Sequence, residues 1–151
     1  MNIKLIFDDD LIRKYSSQGS NINFIIYLEH NNECYPDDKW YDFGDVVLGW
    51  WIMAFTRLLL GKEEETLLFM DGPYNISMKF DSENKYLILK PAKTSLTWRV
   101  SINNLYLELQ RSCNKIKRKY LELNLSNERI ESLNIGLKHL QSSYENYISK
   151  E

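Results

Sequence analysis

The segment from Phe43 to Leu60 constrains this chain more than any other. It is apolar nearly all round, from Val46-Val47-Leu48 through Trp50-Trp51-Ile52 to Leu58-Leu59-Leu60. A helix apolar on most of its faces has to be enclosed, so the rest of the chain is expected to wrap it. Asp42 is placed to cap the N-terminus, and Asp45 in the first turn suits the helix dipole. Gly61 offers the left-handed residue that commonly ends a helix. The competing reading is a strand over Val46 to Leu48, broken at Gly49. The longest apolar stretch, Val46 to Phe55, is shorter than the about 20 residues a bilayer span requires, so no membrane association is expected.

With 151 residues and an ordinary apolar content, the chain is expected to form one domain. Ile3 to Phe7 and Asn23 to Glu29 read as strands, with a loop from Ser16 to Asn21 between them. His30 to Lys39 is polar and reads as a second loop. After the central helix, Glu65 to Asp71, Tyr74 to Phe80, Tyr86 to Leu89 and Leu96 to Val100 form successive strands. Asp71-Gly72-Pro73 and Asp81 to Asn84 are turns between them. Tyr74, Ile76, Met78 and Phe80 alternate with Asn75, Ser77 and Lys79, the pattern of a half-buried antiparallel strand. Pro91 has no N–H for a ladder and is expected to stop the third strand.

The period changes in the last third. Leu105, Leu109, Cys113, Ile116 and Tyr120 fall at helical spacing, as do Ile130, Leu133, Leu137, Leu140, Tyr144 and Ile148. The break at Asn124 to Asn127 is short, with Ser126 or Asn127 available as a cap, so an antiparallel helix pair is expected. The fold class is α+β: an antiparallel β-meander packed against a buried central helix and a C-terminal helix pair.

The charge is uneven. Met1 to Asp81 carries seven Lys and Arg against fourteen Asp and Glu, a balance of −7, and Ser82 to Glu151 carries twelve against seven, a balance of +5. The net of −2 argues against general nucleic-acid binding. Acid gathers in Asp8-Asp9-Asp10, Asp37-Asp38 and Glu63-Glu64-Glu65. Base gathers between Arg111 and Lys119, read as the solvated face of a packed helix. Two cysteines, Cys34 and Cys113, and no recognisable secretory leader point to cytoplasmic free thiols.

No catalytic signature is visible: no Gly-x-Ser-x-Gly, no phosphate-binding glycine loop and no paired metal-ligand clusters. No cofactor is implied and the chain is not expected to be an enzyme. One alternative is a metal-dependent enzyme using Asp37, Asp38, Asp42, Asp45 and Asp71 as oxygen ligands. Another is an assembly module that docks through the helix of Ile130 to Ile148. Aromatic residues offer the remaining lead. Packing accounts for Trp50 and Trp51, whereas Trp40 and Tyr41 stand in a polar stretch among carboxylates. That combination suits a protein partner rich in Lys and Arg. The expected contact residues are Asp37, Asp38, Trp40, Tyr41, Asp42, Glu63, Glu64 and Glu65.

Trp40-Tyr-Asp-Phe, Gly49-Trp-Trp and Phe69-Met-Asp-Gly-Pro-Tyr-Asn-Ile resemble a pattern found in bacterial polymorphic-toxin immunity proteins, over about residues 36 to 90. The resemblance implies a cytosolic binding protein that blocks a cognate toxin domain, with no catalytic residue of its own. If that toxin is a basic nuclease, acidic side chains would speed the encounter.

Overall fold

A computed structural model of the chain describes residues 1–16, 22–125 and 128–151. The central helix is present as α2 (Gly44–Leu59). Its N-terminus departs from expectation: Phe43 is the cap residue, no side chain caps it, and Asp42 belongs to the strand before it. Gly44 starts the helix for a steric reason. A Cβ there would lie 2.1 Å from the Phe24 ring, so only glycine lets α2 reach the sheet beneath. The C-terminus follows the sequence. Gly61 has φ +111°, its N–H donates to Leu58 O, and the Lys62 N–H reaches back to Arg57 O. This double bond pattern is the Schellman stop.

Two antiparallel sheets flank α2. The first contains β1 (Asn2–Ile6), β2 (Phe24–His30), β3 (Glu33–Tyr35) and β4 (Tyr41–Asp42). β1 lines one edge of β2, while β3 and β4 share the other. The expected loop of His30 to Lys39 is therefore partly a hairpin. Asn31 and Asn32 both take positive φ, and this two-residue turn sets His30 opposite Glu33. A short helix, α1 (Asp9–Ser16), was also not expected. Asp8 caps it by accepting the Leu11 N–H at 3.1 Å, and Asp9 and Asp10 occupy its first turn. The rest of the expected Ser16 to Asn21 loop, and the Ser126 and Asn127 caps, lie outside the described residues.

The second sheet is the expected meander, β5 (Glu65–Leu68), β6 (Asn75–Phe80), β7 (Tyr86–Pro91) and β8 (Trp98–Ser101), paired in chain order. Pro91 sits in the last position of β7, opposite Ile76. Tyr35 joins the two sheets: its hydroxyl accepts the Asn75 N–H at 3.1 Å and lies within 3.1 Å of the Asn75 and Ala92 carbonyl oxygens.

The helix pair is α3 (Ile102–Glu122) and α4 (Glu128–Ser149). They are antiparallel, as shown by Tyr106 stacked on Tyr144 at one end and Tyr120 and Arg129 meeting on Asp45 at the other. α4 runs parallel to α2, with Arg129 beside Asp45, Leu133 beside Gly49 and Gly136 beside Ile52. Its far end is tied down by tyrosines. The Tyr144 hydroxyl donates to Asn103, and Tyr147 stacks on Phe80 and donates to Asn84 O.

α3 also guards the outer edge of β1. Glu108, nearly fully buried, accepts the Ile3 N–H at 2.9 Å, and the Lys115 ammonium donates to Leu5 O at 2.9 Å. Lys119 bridges Asp9 and Glu122. The basic stretch is thus not simply a solvated face. Two of its cations fasten α3 to β1 and α1, and Lys115 with Glu108 satisfies edge groups of β1 that would otherwise invite another strand.

Candidate functional site

The expected contact residues separate into three groups. Asp42 lies in the interior, with no exposed surface. Strand pairing sets it opposite Phe24, on the core side of the first sheet. Its Oδ1 accepts the Phe43 N–H at 2.8 Å. Its Oδ2 accepts from Trp40 Nε1 and Met70 N, both at 3.1 Å, and from Asp71 N at 3.4 Å. A carboxylate so occupied fixes two chain segments together, residues 40–43 and 70–71, and is removed from any contact surface. Trp40 goes with it, half-buried against Tyr74 and Phe69.

Glu63, Glu64 and Glu65 stand at the other end of α2. Glu65 makes a bidentate bond to Arg57, at 2.6 and 3.1 Å. Hydrogen bonding to that guanidinium holds its carboxyl below the usual range. Glu63 and Glu64 are exposed. α2 has sixteen residues, so about 24 Å of helix separates this acidic run from the Asp37 end. The two runs do not converge into one surface.

Asp37, Asp38 and Tyr41 remain, all exposed at the rim of the first sheet. The strand registers show what surrounds them. Ile6, Ile25 and Tyr41 align across β1, β2 and β4 on the outward face, and Ile6 and Tyr41 are among the most exposed apolar side chains described. The next outward residue on β2 is Tyr27, then Glu29 beside Cys34. Burial pushes the Cys34 thiol up, and the carboxylates of Glu29, Asp38 and Asp37 push it further, with Lys4 opposing. The same carboxylate field, Glu29 and Asp38, adds to burial in raising Tyr27. Asp71 is exposed on the turn whose Gly72 packs against Trp40. The site is therefore an apolar row with carboxylates further along the same sheet, of which Glu29 is paired with Lys4 at 3.9 Å. Ile6 and Ile25 were missed because only strand register brings them alongside Tyr41, and Glu29 because register sets it further along the same face, opposite Cys34.

Asp45, the other carboxylate of the central segment, is buried and accepts from the Tyr120 hydroxyl at 3.0 Å and from Arg129 at 2.8 Å. Asp42 and Asp45 thus spend their oxygens on donors of the chain itself. Among the described residues, no group of three or more His, Cys, Asp and Glu is arranged to hold a metal ion. His30 and Cys34 lie on β2 and β3 rather than in a loop, and Cys113 is fully buried, its thiol pushed by burial up to about 12.

A second feature was not legible in the sequence. Along the parallel seam of α2 and α4 runs an open groove of about 640 Å³. Its walls are Trp50, Met53, Ile135 and Leu133, with Arg129 at one end and Arg57 and His139 at the other. Trp50, expected inside the core, is half-exposed on this wall, whereas Trp51 is fully buried and donates to Leu68 O. Gly49 and Gly136 both open onto the groove. A Cβ on either would meet only ordinary contacts, at 3.9 Å from Leu133 and 3.5 Å from Ile52. Glycine within a helix costs about 0.5–1 kcal/mol relative to alanine, and among the described residues no close contact excludes a Cβ at these two positions.

Comparison with protein-family models, with curated proteins and with solved structures gives no match in any of the three. No helix among the described residues is long and apolar enough to cross a membrane.

Proposed function

We propose that this chain is a binding protein of the toxin-neutralising kind, which contacts a basic protein partner through the outward face of its first sheet. The supporting observation is the outward row of Ile6, Ile25 and Tyr41, exposed at Ile6 and Tyr41, with the carboxylates of Asp37, Asp38 and Glu29 further along the first sheet around Tyr27 and Cys34. An apolar centre with a charged rim is the anatomy of a protein contact, and the rim charge selects the partner and speeds association. In this reading Asp42, Trp40 and Glu65 shape the fold, and Glu63 and Glu64 stand outside the contact.

The test is co-expression with the product of the adjacent gene, followed by co-purification and a growth-rescue assay. A stable complex that dissociates faster in salt, and that an Asp37→Lys, Asp38→Lys double variant loses, supports the reading. A neighbour that forms no complex and harms no cell counts against it. A complex indifferent to both Asp37/Asp38 reversal and Tyr41→Ala would move the contact elsewhere.

A further inference from the structure

We infer that the groove between α2 and α4 is a second docking site, distinct from the sheet face, and that it receives an amphipathic helix with acidic ends from a partner protein. The groove follows α2 from Asp45 to Arg57, a length of about 18 Å, which matches about three turns of a seated helix. Helix-in-groove recognition uses an apolar trough of this kind, with anchors repeating every three or four residues.

The ends of the groove specify the charge of the occupant. Each is marked by an ion pair in which the anion is covered and the cation faces outward. The Arg57 side chain is 47% exposed against 14% for Glu65, and that of Arg129 is 36% exposed against 1% for Asp45. In each pair the carboxylate is the more covered partner, so the guanidinium is the charge the groove lining presents at each end, with His139 near Arg57; the exposed Glu63 and Glu64 lie beyond that end, past the C-terminus of α2. A carboxylate at each end of the occupant, about three helical turns apart, complements this arrangement.

The floor fits the same occupant. Gly49 and Gly136 line the trough without a side chain, which leaves room for an occupant to approach the backbone of α2 and α4. The other described glycines have reasons within the chain: Gly44 meets Phe24, and Gly61 and Gly72 have positive φ. Exposed Met53 and Ile135 form the two lips, and a methionine adapts its shape to what binds.

The probe is a synthetic amidated peptide of about fifteen residues, helical, with leucines on one face and a glutamate pair at each end, about three turns apart. A second peptide carries lysine in place of each glutamate. Binding is read from the Trp fluorescence of the full chain and by calorimetry. The acidic peptide is expected to bind at least about tenfold more tightly than the lysine peptide. Gly49→Leu, which fills the floor, and Met53→Glu, which places a carboxylate on the exposed lip, are each expected to weaken it by about tenfold or more. The Met53 variant keeps the test valid if the Gly49 variant unfolds. Equal affinity for both peptides, no binding of either, or binding indifferent to Met53→Glu overturns the proposal. Concentration-dependent dimerisation that Met53→Glu abolishes would also overturn it, by making a second copy the occupant.

Discussion

Replacing Asp42 with alanine separates a role in the fold from a role in contact. Three N–H donors lie within 3.1 Å of its carboxylate, on Phe43, Trp40 and Met70, and a fourth on Asp71 is at 3.4 Å. Hydrogen bonds to a charged group contribute about 1.5–3 kcal/mol each, and an orphaned buried donor costs about 1–3 kcal/mol. Simple addition overstates the loss, because the donors share one acceptor and the site can relax or admit water. We expect Asp42→Ala to lower stability by about 3–5 kcal/mol, a large part of the about 5–15 kcal/mol typical of a domain. Asn in the same place keeps one acceptor oxygen but turns an amide donor toward other donors, so an intermediate loss is expected. Asp38→Ala, at an exposed position, is the control and should stay within about 0.5 kcal/mol of the parent. Urea unfolding followed by Trp fluorescence measures all three, with the slope checked for constancy so that midpoints compare stabilities. An Asp42→Ala chain as stable as the parent would refute this reasoning. If that chain also lost its partner, Asp42 would return to the contact surface.

Three further outcomes follow from the same geometry. Gly136→Ala is expected to raise stability by about 0.5–1 kcal/mol, because its Cβ finds ordinary contact, whereas Gly44→Ala should destabilise because the new Cβ meets the Phe24 ring at 2.1 Å; thermal unfolding reads both, and equal shifts would contradict the packing described. The Glu65 carboxyl is held below its ordinary value of 4.5 by Arg57, so the unfolded chain takes up its proton first and the stability it contributes is lost as pH falls through the folded value. Urea midpoints between about pH 5 and 3 should therefore fall more steeply for the parent than for Glu65→Gln, and parallel profiles would remove the pair from the acid response. In a Cys34→Ser variant, Cys113, buried with its thiol raised to about 12, should resist maleimide in the folded chain and react once denaturant is added; prompt labelling of that variant without denaturant would show that α3 opens locally.

The elements legible in the sequence are those whose signals are local. The apolar segment read as a buried helix against a competing strand over Val46 to Leu48, and it is α2, with Gly61 stopping it where a left-handed residue was needed. Alternation from Tyr74 to Phe80 and the turn residues around it wrote out the meander, and helical spacing wrote out α3 and α4. Two local signals were present and went unread. Asp8 to Asp10 is the cap and first turn of α1, and Asn31-Asn32 is a hairpin turn.

The destiny of each carboxylate was not legible, because it depends on donors from far along the chain. Asp42 and Asp38 look alike in sequence, but Asp42 lies under Met70, 28 positions away, and Asp45 meets Arg129, 84 positions away. Burial of a charge requires such partners to arrive together, and local spacing does not encode arrival. The same holds for the two candidate surfaces. Strand register aligned Ile6 and Ile25 with Tyr41, and the parallel seating of α4 on α2 opened the groove beside Trp50. The sequence by itself determined that most of α2 would be buried and what kinds of element would cover it. Only the tertiary structure decided which of its neighbours turn inward and which surface is left open, since those are properties of pairs of segments rather than of any one.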